Sequence, residues 1–154
     1  KNYPLINKEF LNPSIIKDGI LLIFDNNLSF ETSNFFNNSF KKIYIVNNNI
    51  RNIKLSTNVK IFKNKLIEDQ QKRLNRMSIN SEVIQIDKIK NLNQDAYALY
   101  PSIGENLDYL INYKINKIKF LYRDVDIFAW KYCNKGFFNF KKYIPEIINN
   151  FITE

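Results

Sequence analysis

Residues 19–25, GILLIFD, form an almost unbroken apolar run bounded by Gly and Asn. Such a run has no polar face, so it predicts a strand buried on both sides, as in a parallel sheet covered by helices. Residues 28–38 place Leu28, Phe30, Phe35 and Phe36 among Ser, Thr, Glu and Asn, a pattern for a short helix with Ser29 as its N-cap. The run KKIYIV, 41–46, predicts a second strand, ended by Asn47-Asn48-Asn49. Strand, crossover and strand make a βαβ unit.

Further along, 58–62 (NVKIF) reads as a short strand and 66–77 as a helix with Leu66, Ile67, Leu74 and Met77 on one side. Residues 82–86 (EVIQI) alternate as a strand does, and 87–99 give no clear period. Ser102 and Glu105 have the S-x-x-E spacing of a capping box, with Leu107, Leu110, Ile111 and Ile115 as the buried face of the helix it opens. KIKFLY, 117–122, predicts another strand and 127–133 a helix, with Trp130 and Cys133 on its buried face. In the tail, Phe140, Tyr143, Ile144, Ile147, Ile148 and Phe151 form a helical stripe. Pro145 suits a first turn, so that helix begins near Ile144. The alternation predicts one α/β domain over 1–154, three-layered and doubly wound, with four to five mostly parallel strands flanked by helices.

Composition narrows the chemistry more than the fold. The 154 residues contain no His, one Cys and three Gly. Without His there is no Ser-His triad and no imidazole base, and most zinc sites are excluded. The glycines fit neither phosphate-cradling loop pattern. The lone Cys133 cannot form an internal disulfide and fits a reducing, cytoplasmic setting. No apolar run is long enough for a transmembrane helix. Lys1-Asn2-Tyr3-Pro4 do not open a signal peptide, and the missing initiator Met suggests a trimmed or partial chain. Twenty-three basic against 15 acidic residues give +8, which invites a nucleic-acid partner. The excess is mainly Lys spread along the chain, and Lys, Asn and Ile abound as AT-rich coding would give, which weakens that inference.

Parallel sheets bind ligands beyond the carboxyl ends of their strands. That rule selects Asp25-Asn26-Asn27, Asn47-Asn48-Asn49 and Arg123-Asp124-Val125-Asp126. A helix mouth at Tyr100-Pro101-Ser102 adds an anion-binding candidate. Ligand-binding candidates are thus Asp25, Asn26, Asn27, Tyr100, Ser102 and Arg123. Asp25 sits where haloacid-dehalogenase-type enzymes carry a nucleophile, but the second Asp of that chemistry is Asn27 here; a capping or turn role is the simpler reading. Asp124 and Asp126, two residues apart, are candidate ligands for Mg²⁺ or Mn²⁺ in a nucleotide-sugar transferase or phosphoryl-processing domain. The bland alternative has Asp126 cap a helix and Arg123 pair locally. KGFFNFKKY, 135–143, interleaves aromatics and Lys as RNA-stacking surfaces do. The favoured reading packs Phe137, Phe140 and Ile144 on the sheet.

Taken in order, several segments resemble one family. Leu11 and Pro13 precede GILLIFDNNL, and then come Ser39-Phe40-Lys41-Lys42-Ile43, Pro101-Ser102, KIKFLYRDVD and Asn139-Phe140-Lys141-Lys142-Tyr143. This order resembles small stand-alone α/β proteins related to the N-terminal antenna domain of the photolyase/cryptochrome family, except over roughly 55–95. The resemblance implies a non-catalytic accessory domain, acting with a separate flavin-binding partner in DNA photorepair or light sensing. FAD or an antenna chromophore would then be held through that partner. No catalytic residue carries over.

Overall fold

The structure, a computed structural model, describes residues 13, 15–33, 35, 39–92, 95–115, 117–133 and 136–151. Leu11, Phe36 and Lys135, named above, lie outside these. Five strands form one parallel sheet: β1 (Gly19–Phe24), β2 (Phe40–Asn47), β3 (Ser81–Gln85), β4 (Ala96–Leu99) and β5 (Ile118–Leu121). Their order is β3-β2-β1-β4-β5, so the apolar run at 19–24 is the central strand of a doubly wound, Rossmann-like sheet.

The alternation of side chains explains why every position of β1 is apolar. Leu21 and Ile23 join Ile43, Ile45, Ile67 and Leu74 in one core, whereas Ile20, Leu22 and Phe24 join Val46, Ile86, Tyr109 and Leu110 in another. Helix α1 (Thr57–Arg76) therefore covers one face and α2 (Glu105–Asn112) the other. A fully buried Leu or Ile contributes roughly 1.5–3 kcal/mol relative to exposure, so this two-sided strand anchors the layers. Gly19 opens it at a close approach, since a Cβ there would stand 2.9 Å from Ile16 and 3.0 Å from the Tyr97 ring.

Several expectations need correction. Residues 58–62 are not a strand but the first turns of α1, whose N-cap Ser56 accepts a hydrogen bond from the Val59 N–H. In the stretch after β1 the described residues form a 3-10 turn, Phe30–Thr32, rather than an α-helix, and Ser29 forms no side-chain cap among them. There the Thr32 and Ser33 hydroxyls donate back to the Ser29 and Phe30 carbonyls, a local pattern that competes with helix continuation. Phe30 and Phe35 are buried in the α1-side core. The Ser102–Glu105 capping box does not form either: Gly104 is the N-cap of α2, with φ 150°, and Glu105 is its first residue. Residues 87–99, without a period in the sequence, hold the end of a 3-10 turn, Ile86–Asn91, and then β4.

Two compact units divide the chain, and the sheet with its covering helices lies in Ser14–Leu121. The described part of the other unit is helical: α3 (Asp124–Trp130), α4 (Phe137–Phe140) and α5 (Ile144–Phe151). Pro145 sits in the first turn of α5, as its missing N–H requires. Phe128 packs edge-on against Phe151, and Tyr132 stacks on Tyr143 at 3.8 Å. Phe137 is 63% exposed and so is not a core residue, nor is the exposed Cys133, while Trp130 is only half-buried. No helix among the described residues is long and apolar enough to cross a membrane.

Candidate functional site

Beyond the carboxyl ends of the strands the sheet gathers a polar cluster around Asp25. Strand β1 ends at Phe24, whose carbonyl accepts the Asn27 N–H at 2.8 Å and closes a tight turn. This turn aims the Asp25 side chain inward, where it is fully shielded from solvent. Lys63 Nζ of α1 meets its Oδ2 at 2.5 Å, Arg51 Nη2 meets the same oxygen at 3.0 Å, and Asn106 Nδ2 of α2 donates to Oδ1 at 2.9 Å. Burial alone would raise the Asp25 pKa. Hydrogen bonds from Lys63 and Asn106 and the charges of Lys63 and Arg51 outweigh it, holding the carboxyl below its ordinary value. Asp25 and Asn26 shape this turn, as the simpler reading allowed, but the Asp25 side chain does more than turn the chain. It is the anionic hub of a network.

The remaining hydrogen bonds tie three loops into one frame. Asn48, buried at the end of β2, donates to Asn106 Oδ1 at 2.9 Å and accepts the Ile50 N–H at 3.0 Å. Glu105 reaches across to accept Arg51 Nη1 at 2.7 Å and the N–H groups of Asn52 and Ile53. Asn26 donates to the Pro101 carbonyl at 2.6 Å and accepts from Asn106 at 3.0 Å. The switch point of the sheet lies between β1 and β4, where Rossmann-like sheets open a crevice. Here side chains of the chain itself bridge it.

An open cleft lies one step along, beyond β2 and β3. Its volume is about 330 Å³, and Arg51, Lys54, Lys60 and Lys63 line it. Asn47, Asn49, Asn64 and Gln85 add neutral amides, and no carboxylate is among its described lining residues. The fold produces this convergence directly. Arg51 and Lys54 come from the loop after β2, and Lys60, Lys63 and Asn64 from one face of the first turns of α1. That first turn carries no acidic residue, so its N–H groups add to the positive field. Asp25 and Glu105 hold Arg51 and Lys63, whereas among the described residues no ion pair occupies Lys54 or Lys60.

The residues singled out from sequence therefore separate. Asp25 and Asn26 meet in the network, with Asn27 supporting their turn. Tyr100 packs edge-on against Phe120, and burial raises its pKa. Ser102 is exposed, in the left-handed region at φ 62°. In the helical unit, Arg123 grips Asp126 through two bonds of 2.7 and 3.1 Å, and Asp124 opens α3 beside them. The local pairing of Arg123 thus holds, and a cation at Asp126 would compete with that guanidinium. Among the described residues no group of three or more His, Cys, Asp or Glu gathers that could hold a metal ion. Arg51, Lys54, Lys60, Lys63, Gln85, Glu105 and Asn106 are the functional candidates that motif reading passed over. A signal existed for two of them: Lys60 and Lys63 are three apart and share a helical face once 57–76 is read as helix.

No protein-family model, curated protein or solved structure matches the chain.

Proposed function

We propose that this chain is a binding domain whose basic cleft, beyond β2 and β3, holds a phosphate-bearing ligand. The observation that carries this reading is the convergence of four cationic side chains on a cleft with no carboxylate among its described lining residues. Charge-assisted hydrogen bonds from Lys and Arg are the usual means of holding phosphate. General acid–base catalysis by the neighbouring carboxylate is disfavoured, because Asp25 is held charged by two cations and its proton affinity is low. The domain binds rather than transforms.

Calorimetric titration of the purified chain with pyrophosphate tests this. Binding is expected, weakening steeply between 50 and 200 mM salt as ion pairing requires. A Lys54→Glu, Lys60→Glu double variant should lose about tenfold or more in affinity, the scale of one or two charged hydrogen bonds. No binding, or binding indifferent to both salt and the double variant, overturns the reading.

The accessory role implied by the resemblance to photolyase/cryptochrome antenna-type domains is a second proposal. That role calls for a doubly wound α/β domain, and the sheet of this chain is all-parallel. A separate flavin-binding chain would be the partner, and co-expression followed by pull-down and an absorbance spectrum tests it. Neither association nor chromophore absorption would dismiss it.

A further inference from the structure

The cleft carries an unmet acceptor. Gln85 ends β3 and pairs in register with Asn47 at the end of β2. Gln85 lines the cleft together with Lys54 and Lys60, and its Oε1 is buried and receives no hydrogen bond among the described residues. Buried carbonyl oxygens almost always find a donor, because leaving one unmet is costly. The terminal torsion of Gln is soft, so a small turn of the amide presents that oxygen to whatever fills the cleft. A ligand that satisfies it must bring a hydrogen-bond donor, and the amine of a base is one such group.

The charge balance narrows the ligand further. Lys54 and Lys60 are in no ion pair among the described residues. Two free ammonium groups match the double charge of a phosphomonoester above its second pKa of about 6, and exceed the single charge of each nucleic-acid phosphodiester. The volume of about 330 Å³ is near the lower end of the range for small-molecule sites, about 300–1,000 Å³. It suits one nucleotide better than two.

We propose that the cleft binds a nucleoside monophosphate with an amine-bearing base, its phosphate on Lys54 and Lys60 and its exocyclic amine donating to Gln85 Oε1. This proposal rests on the anion-binding reading above and assigns its ligand class. Titrations of the full chain at pH 7.5 with pyrophosphate, ribose 5-phosphate, AMP and purine riboside 5′-monophosphate separate the two. The last probe is AMP without its exocyclic amine. AMP is expected to bind about tenfold tighter than both ribose 5-phosphate and the amine-free nucleotide, the scale of one satisfied buried acceptor. Gln85→Leu should erase that advantage, bringing AMP down to the affinity of the amine-free nucleotide. Equal affinity for AMP and the amine-free nucleotide, with pyrophosphate still bound, overturns base recognition and leaves the anion cleft standing. If none of the four binds, both readings fall together. A single-stranded oligonucleotide without a terminal phosphate that outbinds AMP would also overturn the proposal. The wild-type comparison needs no variant, so it decides the matter even if Gln85→Leu fails to fold.

Discussion

Replacing Asp25 by Asn separates an electrostatic role for the buried network from a merely steric one. The amide keeps the size of the side chain but has one acceptor where the carboxylate has two. In the native network Oδ2 serves both Lys63, at 2.5 Å, and Arg51, at 3.0 Å, while Oδ1 serves Asn106 at 2.9 Å. Whichever way the new amide turns, its NH₂ faces a donor. Removing one partner of a fully buried ion pair costs about 3–5 kcal/mol. Arg51 and Lys63 keep 18% and 20% of their side-chain surface, and Arg51 retains Glu105, so water and a second carboxylate soften the loss. About 2–3 kcal/mol is expected, or roughly 4–12 °C in the melting midpoint for a chain of this size. Urea unfolding at pH 7, followed by circular dichroism with slopes compared, measures it. A loss below about 0.5 kcal/mol, the usual scale of an inconsequential surface change, would refute the electrostatic role.

The pH dependence of that gap has a fixed sign. Burial alone would raise the Asp25 pKa, but Lys63, Asn106 and Arg51 more than offset it, so the folded carboxyl titrates below the unfolded one. Its stabilisation is therefore complete above the unfolded value of about 3.9 and is lost as pH falls through the folded value. The difference between wild type and Asp25→Asn should hold from pH 7 to 5 and close below about 4. A gap that widens on acidification contradicts this assignment.

Two backbone positions give further tests. Gly19→Ala places a Cβ 2.9 Å from Ile16 Cγ2 and 3.0 Å from the Tyr97 ring, and should cost about 1–3 kcal/mol in urea unfolding; a neutral result would mean that both neighbours yield freely. Ser102→Gly should raise stability by about 0.5 kcal/mol, since Ser102 holds φ 62° and glycine adopts that region without penalty. Were Ser102 a helix cap, the same change would not stabilise, so the sign of the shift in denaturation midpoint decides between them.

The parts of the fold that were legible are those whose burial is written in consecutive residues. GILLIF has no polar position because both its faces meet a core, and the pattern states as much. Helix α1 was half hidden for the opposite reason. Val59, Ile61 and Phe62 are apolar, and Val and Ile are β-branched, yet they are 43%, 49% and 62% exposed. Local preference thus favoured a strand where the helix instead leaves apolar residues in solvent. Strand β4 escaped because AYAL is four residues long, with two alanines that carry little signal. The site was less legible than the fold. Arg51 meets Glu105 across 54 positions and Asp25 meets Asn106 across 81, and no spacing rule reaches that far.

The location of the cleft follows from what fills the switch point. A Rossmann-like sheet offers its crevice between β1 and β4, but here Asn26 ties the β1 turn to Pro101 and Asn106 fills the gap behind it. The accessible end of the sheet is consequently beyond β2 and β3, and Asp25 stands at the border between the two regions. Arg51 and Lys63 line the cleft and also neutralise Asp25. Every negative charge kept in the network is one less cation available to a ligand. Asp25→Asn should therefore move two properties in opposite directions, weakening the fold while tightening pyrophosphate binding. A partly screened unit charge at that distance is worth about 1 kcal/mol or more, or at least roughly fivefold in affinity. Calorimetry on the variant, below its unfolding transition, reads this directly. Unchanged or weaker pyrophosphate binding would mean that Arg51 and Lys63 belong to the frame alone, and that the ligand is held by Lys54 and Lys60 without them.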